Sequence, residues 1–347
     1  MIIREKEPAN LEMPFSELKR FVTPNDQFYV RSHFAVPQID LARWRLRIEG
    51  AVERQLEFSH QDLLARKTIT VPATMECAGN SRIFLQPKVK GVQWELGAVG
   101  NANWTGVSLG ELLREARFSE NAREIILEGA DRGSPSEGPK PAGQMHYVRS
   151  LSLGKALDDV LLALEMNGQP ITPAHGFPLR AIVPDWYGMA SVKWLQRVIV
   201  TEEPFYGYYQ TVDYGFWEPG ADGARLVPIT EMLVKALIAR PATNELISAG
   251  STYRVTGAAW TGNAEVVKVE VSVDQGRSWN EASLGEETSR HSWRLWEWQW
   301  QTPNEPGACT LMARATDSHG QTQPMERDAN RGTYMVNHCL PIEVEIR

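Results

Sequence analysis

Cysteine is scarce. Only Cys77, Cys309 and Cys339 occur in 347 residues. That argues against a disulfide framework and leaves too few thiols for a four-cysteine zinc site. Long apolar runs are missing too. Nothing approaches the roughly 18 consecutive apolar residues of a membrane-spanning helix, so no membrane span is expected. The N-terminus, MIIREKEPANLEMPF, lacks the apolar core of a secretory signal, and no twin-arginine pair precedes an apolar stretch. The sequence as written reads as cytoplasmic, or as periplasmic if a signal has been trimmed. Positive charge is in the minority: 36 Lys and Arg face 43 Asp and Glu, a formal net charge of −7. This balance argues against nonspecific nucleic-acid binding, so no nucleic-acid partner is expected. Phosphate-loop, GxGxxG, HExxH and EF-hand patterns are absent, as are internal repeats.

What remains is ordinary globular composition, 42% hydrophobic and 23% charged, which excludes a disordered or fibrous chain. The length exceeds what one core usually fills, so two domains are expected. Residues 1–225 mix strand and helix patterns. WRLRIEG (44–50), EIILEGAD (124–131) and LRAIVPD (179–185) look like strands. SLGELLREARF (108–118) and KALDDVLLALEMNG (155–168) look helical. The expectation is an α+β domain. Beyond a Gly- and Pro-rich stretch at 215–229, residues 226–347 change texture. Segments 253–260, 266–274, 292–300 and 309–317 are strand candidates separated by turn signals, the pattern of a small β-sandwich. Half of the twelve Trp fall here, at 260, 279, 293, 296, 298 and 300. They read first as sandwich core and edge aromatics.

Three constellations invite a chemical reading. Cys77 ends a strand-like segment in VPATMECAGNSRIF (71–84), where Gly79 and Asn80 favour a turn and Arg82 adds positive potential. A thiol in an electropositive, partly exposed turn is a candidate nucleophile or soft metal ligand. From position alone, a buried inert cysteine is the favoured reading. Cys309 and Cys339 read as core residues. The second constellation is HGFPLRAIVPDWYGMASVKWL (175–195), which combines His175, Arg180 and Lys193 with Gly188. Such a segment can present donors to an anion while glycine admits a close backbone approach. The third is FYVRSHFAVP (28–37), where Arg31 and His33 share a face if the chain is extended.

ECAGNSR around Cys77, Arg31-Ser-His33 before AVP, and HGFPLR followed by VPDWYGMASVKWL together resemble the sulfite oxidase family of molybdenum enzymes. Segments 91–109 and 147–180 resemble the blocks that follow in that family. The tail, with KVEVSVDQGRSW and a late Asn-Arg-Gly, resembles its immunoglobulin-like dimerisation domain. The resemblance implies a molybdopterin-binding α+β domain (1–225), a dimerising sandwich (226–347), one molybdenum with one molybdopterin per chain, and a homodimer. It implies that Cys77 binds the metal. It places His33, Ser150, His175, Arg180, Ser191 and Lys193 in pterin-binding segments. Arg31, Arg82, Arg331, Trp94 and Tyr214 then match residues of the substrate pocket.

The implied reaction is oxidation of sulfite to sulfate by oxygen-atom transfer. A related oxyanion or S-oxide chemistry of the nitrate-reductase type is the alternative. No haem is expected in this chain, since there is no CxxCH, so electrons would pass to a separate partner such as cytochrome c. Two departures stand out. Family members often carry a second Arg directly after CAGN, where this chain has Ser81. A common Gly-Ala-Arg is here Gly188-Met189-Ala190. Other classes are a binding module that has lost its metal and a cysteine hydrolase using Cys77. Intact Cys77, His33 and His175 argue against the first, and the lack of any oxyanion-hole signal against the second.

Overall fold

The computed structural model describes residues 1–135, 138, 141–221, 223–286 and 289–347. Apolar alternation and buried runs have built sheets nearly everywhere, with short helices at their edges. One mixed sheet is ordered Leu56–Phe58, Leu46–Gly50, Leu195–Thr201, Glu124–Gly133, Met145–Ser152. Leu195–Thr201 runs parallel to Leu46–Gly50 and antiparallel to Glu124–Gly133. A second sheet is ordered Gln169–Pro170, Leu161–Met166, Val99–Ser108, Ile69–Glu76, and Arg180–Ile182 also pairs with Leu161–Met166.

Helix Leu109–Ala116 starts where Ser108 accepts a bond from the Glu111 amide, and it buries Leu109, Leu112, Leu113 and Ala116. This is the expected apolar spacing behind an N-cap. The second helical expectation, 155–168, is half corrected. Helix Leu153–Asp158 ends early, and Leu161–Met166 is a strand. LLALEM has strand neighbours on both edges and is buried along most of its length. An unbroken apolar run suits a doubly covered strand as well as a helix.

The later residues form two facing sheets. One is Lys235–Arg240, Thr252–Trp260, Arg294–Gln301, Ser283–Leu284; the other is Leu246–Ile247, Ile342–Ile346, Gly307–Asp317, Val266–Ser272, Asn280–Glu281. Val255, Val269, Trp296, Trp300, Leu311 and Val344 fill the space between them. The fold is the α+β body with a β-sandwich that the sequence led us to expect. The tryptophans divide in a way not expected. Trp296 and Trp300 pack inside the sandwich, but Trp260 and Trp293 belong to the core of the preceding α+β body. Trp293 Nε1 donates to the Phe21 carbonyl at 2.9 Å, and its amide donates to Thr74 Oγ1 at 2.7 Å.

Candidate functional site

Strand Ile69–Glu76 runs from exposed residues into the core and delivers Cys77 at its buried end. The Cys77 amide continues the ladder to Ala98 O at 2.9 Å, and the Asn80 amide closes a turn onto Cys77 O at 2.8 Å. A Cβ at Gly79 would collide with the Arg82 guanidinium, so only glycine lets that side chain fold behind the turn. Arg82 then donates to Val92 O at 2.9 Å and Thr333 O at 3.0 Å, under the ring of Tyr334.

Two cavities meet at this turn. The first, about 620 Å³ including space open to solvent, is lined by Arg31, His33, Cys77, His175, Arg180, Ser191, Lys193 and Tyr214 among others. The second, about 850 Å³ on the same basis, is lined by Arg31, His33, Cys77, Arg82, Tyr209, Asp213, Tyr214 and Tyr334 among others. Arg31, His33, Cys77 and Tyr214 border both. Arg31 and His33 do share a face, as extended spacing requires.

The first cavity is polar in a particular way. Arg180 donates to His175 O at 2.9 Å and Ser191 O at 3.2 Å. Lys193 donates to Ser32 Oγ at 2.8 Å and Ala174 O at 3.0 Å. His33 Nε2 lies 2.7 Å from the Tyr214 hydroxyl, and its ring stacks on Tyr147 with centroids 4.6 Å apart. Burial, with Arg180 and Lys193 beside it, pushes the His175 imidazole down to about 4. Burial and the charges of Arg31, Lys193 and Arg149 also hold His33 well below the ordinary histidine value. Both rings are therefore neutral at pH 7. Burial lowers Lys193, with Arg180 adding to the effect, and pushes Asp131 up to about 6 against the pull of Lys193. Arg180 Nε and Asp131 Oδ1 are buried without a hydrogen-bond partner. Cations in a wall with one carboxylate among its described lining residues, and a buried guanidinium nitrogen left without a partner, fit an anionic, heteroatom-rich group. At Gly188 the backbone comes so close to the Tyr29 hydroxyl and Met75 that no side chain fits. A phosphate-bearing heterocycle such as molybdopterin suits this wall.

Three expected site residues lie outside both linings. Trp94 is fully buried in an apolar cluster with Phe28, Met75, Cys77 and Trp104. Ser150 sits one position out of phase. Strand Met145–Ser152 turns Tyr147 to the first cavity, and alternation sends Ser150 to the opposite face. Arg331 is turned aside by an ion pair with Asp328 at 3.1 Å and by the Phe216 ring at 5.2 Å. The residue from the later chain that does line the second cavity is Tyr334. Its hydroxyl donates to Asp213 Oδ1 at 2.7 Å, and its ring lies 4.9 Å from that of Tyr214. Nothing in the local sequence marks Tyr334. Tyr29 and Ser32, by contrast, sit inside the FYVRSHF segment.

The thiol is buried, as its position alone favours, and is not the partly exposed thiolate of the chemical reading. Cys77 is buried, and burial raises its pKa despite the nearby charges of Arg31 and Arg82, so it is held as a thiol rather than a ready thiolate. GVSLG (106–110) fits the nucleophile-elbow pattern. Ser108, however, has a relaxed backbone (φ −67°), and its hydroxyl is spent capping helix Leu109–Ala116. It serves as a helix cap.

Family comparison agrees with this geometry. The model of the oxidoreductase molybdopterin binding domain matches residues 33–209, and that of the Mo-co oxidoreductase dimerisation domain matches residues 227–345. The chain belongs to the sulfite oxidase family. It is 36% identical over 341 residues to the mitochondrial sulfite oxidase of Mus musculus, covering 93% of this chain and 61% of that protein. It is 36% identical over 343 residues to the sulfite oxidase of Gallus gallus, covering 93% and 72%. The NADPH nitrate reductase of Aspergillus niger is 34% identical over 303 residues, covering 80% and 34%. Among solved structures, the sulfane dehydrogenase SoxCD of Paracoccus pantotrophus superposes with a TM-score of 0.84 at 27% identity, covering 97% of this chain and 84% of that one. The chain thus spans 61% of the mouse relative's length. Membership places a molybdopterin-binding oxidoreductase domain at residues 33–209 and a dimerisation domain at residues 227–345 of this chain. Among the described residues no helix is long and apolar enough to cross a membrane.

Proposed function

We propose that this chain oxidises sulfite to sulfate, with Cys77 as the protein ligand of molybdenum, and passes the electrons to a separate acceptor such as cytochrome c. The observation that carries the reading is the position of Cys77, a single thiol at the seam of a cationic cavity and a second cavity lined by Arg82 and tyrosines. When bound, the cofactor supplies two-electron oxygen-atom transfer.

The chain's own groups divide the remaining work. His33, His175, Arg180, Ser191 and Lys193 grip the pterin and its phosphate. Neutral imidazoles serve there as donor and acceptor at once, while Arg and Lys supply charge. Arg31 and Arg82 bind the substrate anion. Neither is paired to a carboxylate in any ion pair among the described residues; their bonds go to Asn10 and to backbone carbonyls. Guanidiniums at a partly dry site, Arg82 buried and Arg31 half-buried, attract an oxyanion more strongly than they would in water. The Tyr214 hydroxyl, held by His33 and pushed by burial well above the usual tyrosine range, keeps its proton to donate to an oxyanion.

Metal analysis of purified protein tests the first half. About one molybdenum per chain, lost in Cys77→Ser, is expected. A chain that folds yet takes up no metal when the cofactor is supplied would overturn the reading. Sulfite-dependent reduction of cytochrome c or ferricyanide by the loaded protein tests the second half. A second reading is favoured by the nitrate reductase relatives: turnover of nitrate by a loaded chain that ignores sulfite would select it.

A further inference from the structure

Next to Cys77, between residues that line neither cavity, lies a buried ion pair that joins the two halves of the chain. Glu76 immediately precedes Cys77, and its side chain is 2% exposed. Lys235 opens the first sandwich strand, Lys235–Arg240, and its side chain is 1% exposed. Lys235 Nζ lies 2.8 Å from Glu76 Oε1 and 3.1 Å from Ser81 Oγ. Glu76 Oε1 also accepts from Asn80 Nδ2 at 3.1 Å, and Glu76 Oε2 accepts from Trp260 Nε1 at 2.9 Å. The Cys77–Asn80 turn is therefore clasped at both ends. Glu76 holds its entry, Asn80 and Ser81 hold its exit, and a sandwich ammonium ties the two together.

We propose that Lys235 is a positioning residue, which through Glu76 and Ser81 fixes the turn bearing Cys77 and so makes sandwich docking a condition for correct orientation of the thiol. Several features converge on this. A buried carboxylate and ammonium each need a partner, so neither side chain is free to wander. The Ser81 departure gains a reason: Ser81 has left-handed backbone (φ 73°) and is fully buried, and its small hydroxyl leaves room for the lysine that a long side chain there would contest. A further bond, from the Met335 amide to Ala78 O at 2.8 Å, lets the later chain grip the middle of the same turn. Groups behind a metal ligand govern its orientation as much as the ligand itself does. The assignment rests on the reading of Cys77 as the metal's ligand.

The test compares Lys235→Met, Glu76→Gln and the double Glu76→Gln/Lys235→Met in the full chain. Each single variant leaves one buried charge without its counter-charge, and lowered thermal stability is expected. The double removes both charges, and its unfolding temperature returns toward wild type. Iodoacetamide labelling of the cofactor-free chain, mapped by mass spectrometry to separate Cys77 from Cys309 and Cys339, then reads the turn itself. Positioning predicts that Cys77 alkylates about tenfold faster in the double, although stability has recovered. It also predicts an altered Mo(V) electron paramagnetic resonance signal in the loaded double. A double that recovers wild-type labelling rate and wild-type signal together with stability would overturn the proposal and leave a merely structural pair. The labelling needs neither metal nor sulfite. Failure of the loaded wild type to hold molybdenum would therefore strike the functional reading and leave the positioning measurement standing.

Discussion

Arg31, Arg180 and Lys193 share one cavity wall with a single carboxylate, Asp131, and with the neutral rings of His33 and His175. Burial makes that wall sensitive to acid. An exposed histidine titrates near about 6.5, whereas His175 titrates at about 4 in the folded chain. Between those values the unfolded chain binds a proton that the folded chain refuses. Stability contributed by the neutral ring is thus present above about pH 6.5 and is lost as pH falls toward about 4. The gap caps the loss at about 3 kcal/mol for this one group. His33, also lowered by burial, acts in the same direction. Urea unfolding of the cofactor-free chain at pH 7 and pH 4.5 checks this. His175→Gln, which cannot titrate, is expected to lose about 2 kcal/mol less than wild type between those pH values. Equal losses in the two proteins would place the acid sensitivity elsewhere.

At the scale of elements, the segment Thr333–Met335 matters more than its length suggests. Thr333 O accepts from Arg82, Tyr334 covers the Arg82 guanidinium and bonds Asp213, and the Met335 amide bonds Ala78. One short stretch thus touches the Cys77 turn, Arg82 and the cavity wall. Tyr334→Phe removes only the bond to Asp213, worth about 1 kcal/mol, and keeps the ring over Arg82. A rise of about fivefold in the Michaelis constant for sulfite is expected, with molybdenum content unchanged. Loss of metal in that variant would show that the segment holds the cofactor cavity instead. Elements of this kind also mark the limit of sequence reading. Strand Ile69–Glu76 running into Cys77 was legible, because a β-pattern that breaks at Gly-Asn announces both the strand and its turn. Arg31 and His33 were legible because a period of two is preserved in extended chain. Ser150 was not, because assigning a role by resemblance ignores which face the strand presents. Arg331 and Tyr334 lie three positions apart, and which of them enters the cavity is decided by Asp328 and Phe216, contacts that only the folded chain reveals. The strand Leu161–Met166 was hidden because an apolar run with neighbours on both edges carries no period at all.

At the scale of the whole molecule, the sandwich and the α+β body share hydrophobic core as well as polar bonds. Trp260 and Trp293 come from sandwich strands or their flanks, yet both are 1% exposed within the larger core of the preceding residues. Their rings lie 6.4 Å apart. Beside them, His291 Nδ1 meets Asp185 Oδ1 at 2.9 Å, and the Thr74 amide bonds the His291 carbonyl at 2.8 Å. A core that crosses a domain boundary couples the stabilities of the two sides, because neither can open without exposing the other's apolar surface. One cooperative calorimetric transition is therefore expected for the wild-type chain. Trp293→Ala removes a large buried ring together with the Nε1 bond to Phe21, and a loss of about 3–5 kcal/mol is expected. If the shared core is the coupling element, that variant either melts as one unit at lower temperature or separates into two transitions. Two well-separated transitions already present in wild type would show that the sandwich unfolds independently. In that case the polar clasp at Lys235, rather than the shared tryptophans, would have to carry whatever the sandwich contributes to the Cys77 turn.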